Sequence, residues 1–301
     1  MTLGDPKCTV GAQRHPRARP FLRWIGGKRR LTAKLLAFVP PDARERRYFE
    51  PFLGAGSIFF ALGPRTAVLS DLNEHLIQCY RSVRRDYRRV HSSLTTLAKR
   101  DSETLYYSVR TKYNQSRPSA SQAARFIFLN HTCFNGIFRV NRNGQFNVPY
   151  GFKKTPNFPT ATDLQRVSSV LRPASLLCGD FETILLTARR GDFVYLDPPY
   201  PPLNGTSNFT RYTPLTFPTT EQDRLANIVR NLDQRGCLVM VTNADTPLIR
   251  ALYQGLEFHP ITVTRFVTFK SAKHRVGELV ITNYDARRPH ALQRRRHLGS
   301  A

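Results

Sequence analysis

Four apolar residues, Phe193-Val194-Tyr195-Leu196, run directly into Asp197-Pro198-Pro199-Tyr200. A short apolar run bounded by turn signals reads as a buried strand. Two successive prolines stop it, because each lacks an N–H and has a fixed φ. Asp197 is therefore presented at the carboxyl end of a strand, where open α/β sheets bind ligands. The proline pair leaves backbone carbonyls with no ladder partner, and Tyr200 adds a flat ring beside them. A carboxylate, free carbonyls and an aromatic face on a rigid corner can grip a planar, amine-bearing group, such as the exocyclic amine of a base. An ordinary Pro-rich turn fits the tetrapeptide equally well in a chain with 21 prolines.

The surrounding pattern supports a ligand-binding α/β fold. Tyr48-Phe49-Glu50 reads as a strand entering Pro51-Phe52-Leu53-Gly54-Ala55-Gly56-Ser57, followed by an apolar helix to about Leu62 and a second strand, Ala67 to Ser70, that ends at Asp71-Leu72-Asn73. Glycines in such a loop let a ligand approach the backbone and leave helix N–H groups open. A carboxylate at the end of the next strand can accept hydrogen bonds from ribose hydroxyls. This points to an adenosine-containing cofactor; a tight βα turn is the plain alternative. A nicotinamide fingerprint wants a third glycine, where this chain has Phe59. Upstream, the paired glycines of Trp24-Ile25-Gly26-Gly27-Lys28 would let the chain wrap over a ligand, with Lys28 available to a carboxylate. Further strands are expected at Ser175–Cys178, before Gly179-Asp180-Phe181, at Cys237–Thr242 after a helix over 219–234, and as a terminal antiparallel pair, Ile261–Phe269 and Gly277–Thr282.

Between these halves the character changes. Residues 81–100 are helical in pattern, with seven Lys or Arg against one Asp, and 123–131 read as a mostly buried helix. Ile137–Val140 and Gln145–Val148 flank Asn143-Gly144 as a β-hairpin would. We therefore expect a flexible basic arm over 1–20, a catalytic domain formed by 21–76 and 161–284, a mainly helical inserted module over 77–160, and an Arg-rich disordered tail over 285–301.

Charge narrows the partner. The 301 residues carry a formal +25, of which 1–20 contribute +3 and 286–301 +5, leaving +17 on the body. A folded body that basic suggests a polyanion, nucleic acid first. The five cysteines (Cys8, Cys79, Cys133, Cys178, Cys237) show no metal-ligand spacing, so we expect reduced thiols and no metal. With no apolar run of membrane-spanning length and no signal-like N-terminus, we expect a cytoplasmic, nucleoid-associated monomer that engages no membrane.

Taken together, these blocks resemble the Dam-like DNA adenine methyltransferases. The resemblance runs over roughly 20–285. It rests on Phe21–Lys28, Phe49–Ser57, Asp71–Asn73, Asn130-His131-Thr132-Cys133-Phe134-Asn135-Gly136, Arg139–Asn141, Gly144–Gly151, Asp197–Tyr200 and Glu278–Tyr284, in that order. The order is similar to the alpha arrangement of amino-methyltransferases. It implies a Rossmann-like methyltransferase sheet with a reversed terminal strand, plus the inserted module with its hairpin. It also implies S-adenosylmethionine as methyl donor and the N6 amine of a flipped adenine in double-stranded DNA as acceptor. Asp197, Pro198, Pro199 and Tyr200 would then be catalytic. Trp24, Gly26, Gly27, Lys28, Pro51, Phe52, Gly54, Gly56, Ser57, Asp71, Asn73, Asp180, Phe181 and Asp197 would line the cofactor site. Arg23, Phe134, Asn135, Ile137, Arg139, Asn141 and Pro149 would meet DNA, with Arg139 reading a guanine edge by bidentate contact. GATC is the leading candidate sequence. Ile137 in place of leucine, and Lys153 where a GATC-specific enzyme would place an aromatic, bear on that sequence and leave the chemistry alone.

Overall fold

The computed structural model describes residues 18–200, 217–264 and 275–286. The expected arm up to residue 17, the tail from 287 and the end of the strand expected over 261–269 lie outside the described residues.

Seven strands form one sheet: β1 (Arg47–Glu50), β2 (Thr66–Asp71), β3 (Ala174–Cys178), β4 (Phe193–Leu196), β5 (Leu238–Ala244), β6 (Glu257–Thr264) and β7 (Arg275–Thr282), in the spatial order β3-β2-β1-β4-β5-β7-β6. The first five pair in parallel, and β7 lies antiparallel between β5 and β6. This is the expected Rossmann-like sheet with a reversed strand. The order turns back between β1 and β4, so the glycine loop after β1 and the Asp197 corner after β4 open on the same crevice. That crevice is the ligand position physics favours in such sheets.

Why β4 is apolar throughout is visible in its packing. Phe193 and Tyr195 enter one core together with Tyr48, Leu69 and Met240, while Val194 and Leu196 enter a second core with Phe49, Val68 and Val241. Successive side chains point to opposite faces, and both faces are covered. The second core is closed by helices α7 (Phe181–Leu185), α8 (Thr219–Gln234) and α9 (Pro247–Leu252), which contribute Ile184, Leu225, Val229 and Ile249. On the first face lie α1 (Thr32–Leu36), α2 (Ser57–Leu62) and α3 (Glu74–Ala98).

α3 is 25 residues long, with a non-helical break at Asp86. It is capped by Asn73, whose side chain accepts the Leu76 N–H at 3.1 Å. It crosses residue 77 without interruption and packs against α5 (Ala120–Thr132) and α6 (Ala161–Leu171). Phe126, Phe128, Phe146 and Leu164 thus belong to the same core as the first sheet face. Two of the arginines in the 81–100 run brace the sheet. Arg81 donates to the Leu176 carbonyl at 2.7 and 3.2 Å, and Arg84 to that of Ala174 at 2.7 Å. They cover the outer edge of β3, which would otherwise offer unpaired carbonyls. Arg85, Arg88 and Arg89 remain exposed.

The expected hairpin is short. The chain doubles back at 141–145, where the Asn141 N–H donates to the Gln145 carbonyl at 2.8 Å and the Asn147 N–H to the Arg139 carbonyl at 3.2 Å, with isolated bridges pairing Val140 with Phe146 and Cys133 with Tyr150. The outward-facing backbone groups of its second arm are taken by α4 (Glu103–Gln115). Asn114 accepts the Phe146 N–H at 2.9 Å and donates to its carbonyl at 3.0 Å, while the Tyr106 hydroxyl donates to the Val148 carbonyl at 2.8 Å. Helix side chains thus satisfy groups that face away from the other arm of the hairpin.

Candidate active site

The Asp197 corner is held by two neighbours. Lys28 Nζ lies 2.7 Å from Asp197 Oδ1 and 2.9 Å from Oδ2, and it also donates to the Gly26 carbonyl at 3.2 Å. From β5, the Thr242 hydroxyl donates to Asp197 Oδ1 at 2.7 Å and is itself 3.2 Å from the Tyr195 hydroxyl. The Lys28 side chain is 8% exposed and that of Asp197 18%, so the pair faces the crevice while remaining largely shielded. Lys28 Nζ also sits 4.6 Å from the centre of the Tyr200 ring, within reach of a cation–π attraction. Pro198 is buried, and the exposed Pro199 points its carbonyl at the Gln222 amide, 3.1 Å away.

The glycine loop stands next to this corner. Gly54 and Gly56 have φ of +47° and +65°, and a Cβ on Gly54 would lie 2.9 Å from Trp24 Cδ1. Only glycine lets the loop fit under the indole. The Gly54 and Asn73 N–H groups donate to the two oxygens of Asp71 at 3.0 and 2.9 Å. Burial raises the Asp71 carboxyl above its usual range, and these two donors act the other way. Trp24 itself opens a turn closed by the Gly27 N–H to the Trp24 carbonyl, with Gly26 at φ +76°. That turn delivers Lys28 to Asp197.

These residues fit a nucleoside-bearing donor. The loop has no Cβ to obstruct close approach at two positions. The buried Ser57 hydroxyl, at the start of α2, has no hydrogen-bond partner among the described residues. Asp71 stands at the end of β2, and Lys28 is a cation for a carboxylate. Phe52 meets Phe181 at 5.2 Å and Phe217 at 5.8 Å between ring centres. Pro51 is buried at the end of β1. Three expected site residues also hold the fold together. Asn73 caps α3, Asp180 caps α7 and pairs with Arg224, and Phe181 is a core side chain under the Arg224 guanidinium at 4.4 Å. Among the described residues no group of His, Cys, Asp and Glu is arranged to hold a metal ion. No helix there is long and apolar enough to cross a membrane.

A second surface adjoins the crevice. Asn130, buried at the end of α5, accepts the Arg23 N–H and donates to the Arg23 carbonyl, both at 2.8 Å. Gly136 then fits beneath the Arg23 side chain, where a Cβ would approach Nε to 2.7 Å. Phe134 is 51% exposed, and Asn135 next to it adopts φ +53°. The Phe134 N–H donates to the Pro149 carbonyl at 2.9 Å, so exposed Pro149 stands beside it. Ile137 is half-buried against the core. Arg139 Nε donates to Asn147 Oδ1 at 2.8 Å, which fixes its guanidinium. Asn141 mainly shapes its own turn, accepting the N–H groups of Asn143 and Gln145 at 3.0 and 2.9 Å. Trp24 stacks on Phe138 at 5.9 Å and 19°, which joins this surface to the glycine loop.

Sequence reasoning gave no site contact to four residues here: Thr242, Gln222, Asn130 and Glu50. Glu50 ends β1, is buried, and accepts the Tyr48 hydroxyl at 2.8 Å. Burial pushes its carboxyl up to about 8; the Tyr48 bond opposes this and the charge of Asp197 adds to it. A carboxylate at the end of a parallel strand was a signal already in view.

A model of the D12 class of N6 adenine-specific DNA methyltransferases matches residues 24–269. The type II methyltransferase M.MjaIII of Methanocaldococcus jannaschii is 37% identical over 286 residues, covering 88% of this chain and 99% of that protein. M1.LlaDCHI, a type II methyltransferase of Lactococcus lactis subsp. cremoris, is 37% identical over 273 residues, with coverages of 88% and 95%. The DNA adenine methylase of Escherichia coli is 34% identical over 266 residues, with coverages of 87% and 94%.

Proposed function

The chain belongs to the D12 class of N6 adenine-specific DNA methyltransferases, and from that premise we propose that it moves a methyl group from S-adenosylmethionine to the N6 amine of an adenine swung out of duplex DNA, with GATC the leading candidate site. The observation that carries this reading is the placement of Asp197–Tyr200 and the Gly54–Gly56 loop on adjacent strands at the sheet's switch point.

When bound, S-adenosylmethionine supplies a methyl group already activated by its sulfonium. The protein therefore has to present the amine rather than furnish a nucleophile. An adenine amine is a poor nucleophile because its lone pair is delocalised into the ring. Accepting its two N–H groups on the Asp197 carboxylate and the Pro198 carbonyl would bend the nitrogen towards tetrahedral geometry and localise that pair. Tyr200 would lie flat against the base. Fixed orientation and preorganised acceptors account for the rate. Trp24, Lys28, Gly54, Ser57 and Asp71 are the residues to hold the donor. Lys28 would exchange part of its contact with Asp197 for the donor's carboxylate, releasing Asp197 to the amine.

A base inside the duplex is out of reach, so extrusion costs roughly a few kcal/mol. Phe134 and Asn135 would fill the vacated space, and Arg139 would read a guanine edge in the major groove. Arg23, Ile137, Asn141 and Pro149 would complete the DNA-facing surface.

The deciding experiment exposes unmethylated duplex DNA to the purified protein with S-adenosylmethionine and maps modified adenines by sequencing. Methylated adenines at one recurring site are expected. Asp197→Ala should abolish them while leaving DNA binding largely intact, and turnover retained by that variant would sink the role given to Asp197.

A further inference from the structure

We propose that Gln222 and Asn243 act as positioning residues that clamp the Asp197–Tyr200 corner from the sheet face opposite Thr242, an inference that rests on the function proposed above. Both side chains are fully buried. Gln222 Nε2, on α8, donates to the Pro199 carbonyl at 3.1 Å, and its Oε1 accepts from Asn243 Nδ2 at 3.1 Å. Asn243 Oδ1 in turn accepts the Ala244 N–H at 2.8 Å. Each bond therefore fixes the sense of the next. Asn243 must present its NH2 group, so Gln222 must receive it on oxygen and turn its own NH2 group towards Pro199.

Alternation along β5 explains why two neighbouring residues reach one corner. Side chains on a strand point to opposite faces in turn. Thr242 shares the face of Met240 and Tyr195 and touches Asp197 directly. Asn243 shares the face of Val239 and Val241, where α8 packs, and reaches the corner through Gln222. The corner is thus gripped from above and below the sheet. A buried amide pair is a costly choice where apolar side chains would fill the same space. What it adds is direction. The proline ring fixes φ of Pro199, and anchoring its carbonyl fixes the remaining rotation. The Pro198–Pro199 peptide, which carries the Pro198 carbonyl, and the Tyr200 ring that follows are then both set relative to Asp197.

Gln222→Met keeps the length of the side chain and removes both polar atoms. Gln222→Glu keeps the shape and removes the donor to Pro199. Asn243→Asp removes the donor to Gln222 and turns that amide over. For each variant we would measure the single-turnover rate of methyl transfer with donor and duplex saturating, donor and DNA affinities, the melting temperature, and the fluorescence of 2-aminopurine placed at the target adenine. The expected result is a rate lowered roughly 10- to 100-fold with affinities largely kept, and a brighter 2-aminopurine signal because the extruded ring no longer rests flat on Tyr200. A folded variant with the wild-type rate and wild-type fluorescence overturns the clamp. So does parallel loss of melting temperature and both affinities in all three variants, which would assign the pair to the core alone. The wild-type rate separates the two levels: no transfer by the wild type sinks the functional reading, whereas wild-type transfer with unaffected variants sinks only the clamp.

Discussion

Thr242→Val replaces a hydroxyl with a methyl at a side chain only 1% exposed, so the shape of β5 is kept and, besides a long 3.4 Å contact with the Leu196 carbonyl, two stronger hydrogen bonds are lost. The first is the 2.7 Å bond to Asp197; a bond to a charged acceptor is worth about 1.5–3 kcal/mol. The second is the 3.2 Å contact with Tyr195. Because the single Thr242 proton goes to Asp197, Tyr195 must be the donor there, and the substitution leaves its buried hydroxyl unsatisfied at about 1–3 kcal/mol. Burying one further methyl returns about 0.8 kcal/mol. The variant should lose about 2–4 kcal/mol of unfolding free energy. Tyr195→Phe alone should cost about 1 kcal/mol, since Thr242 still serves Asp197. In the double variant no hydroxyl is stranded, so the combined loss should fall short of the sum by about 1–2 kcal/mol. Urea unfolding of the four proteins supplies the cycle. Single-turnover methyl transfer supplies the functional counterpart, with Thr242→Val slowed by about tenfold, or 1.4 kcal/mol, and Tyr195→Phe close to wild type. Additivity to within about 0.5 kcal/mol, or a Thr242→Val protein as stable as the wild type, would refute the assignment of these bonds.

Three further perturbations probe other parts of the site. Glu50 has a folded carboxyl raised from 4.5 to about 8, so the fold favours its neutral form; that contribution is complete below pH 4.5 and is lost as pH rises towards 8. Glu50→Gln should therefore gain stability relative to the wild type across that window, by at most about 1.4 kcal/mol per pH unit, and identical unfolding profiles against pH would contradict the raised value. Gly54→Ala forces a Cβ to 2.9 Å from the Trp24 indole at φ +47°, and calorimetric titration should show donor binding weakened at least tenfold, or about 1.4 kcal/mol. Arg139→Ala should relax discrimination at one base pair by about 1–3 kcal/mol, seen as additional methylated sequences; an unchanged site preference would remove Arg139 from recognition.

How much of this was legible beforehand follows from the range over which each signal acts. The Asp197 corner and the Gly54–Gly56 loop were readable because proline and glycine impose local geometry wherever they occur. The buried strand over 193–196 was readable from its length and its stop. The contacts of Thr242, Gln222 and Asn130 were not, because each acts on a residue at least 23 positions away in sequence. The run over 81–100 read only as helical and basic; two of its arginines cover the edge of β3, a partnership set by sheet order. The turn at Asn143-Gly144 was legible, whereas the docking of its second arm on α4 was not, because Asn114 and Tyr106 lie more than thirty positions away in sequence.

The bonds between Asn130 and Arg23, together with the stacking of Trp24 on Phe138, have a consequence for re-engineering. An exchange of the proposed DNA-facing segment would be incomplete if it moved only residues 130–151. The backbone of Arg23 is hydrogen-bonded to that segment, and the Trp24 ring is shared between it and the loop at Gly54. A transplant that leaves Phe21–Trp24 behind would carry that segment without its mooring. The smallest portable unit in this chain is thus discontinuous, two stretches more than a hundred residues apart in sequence that have to travel together.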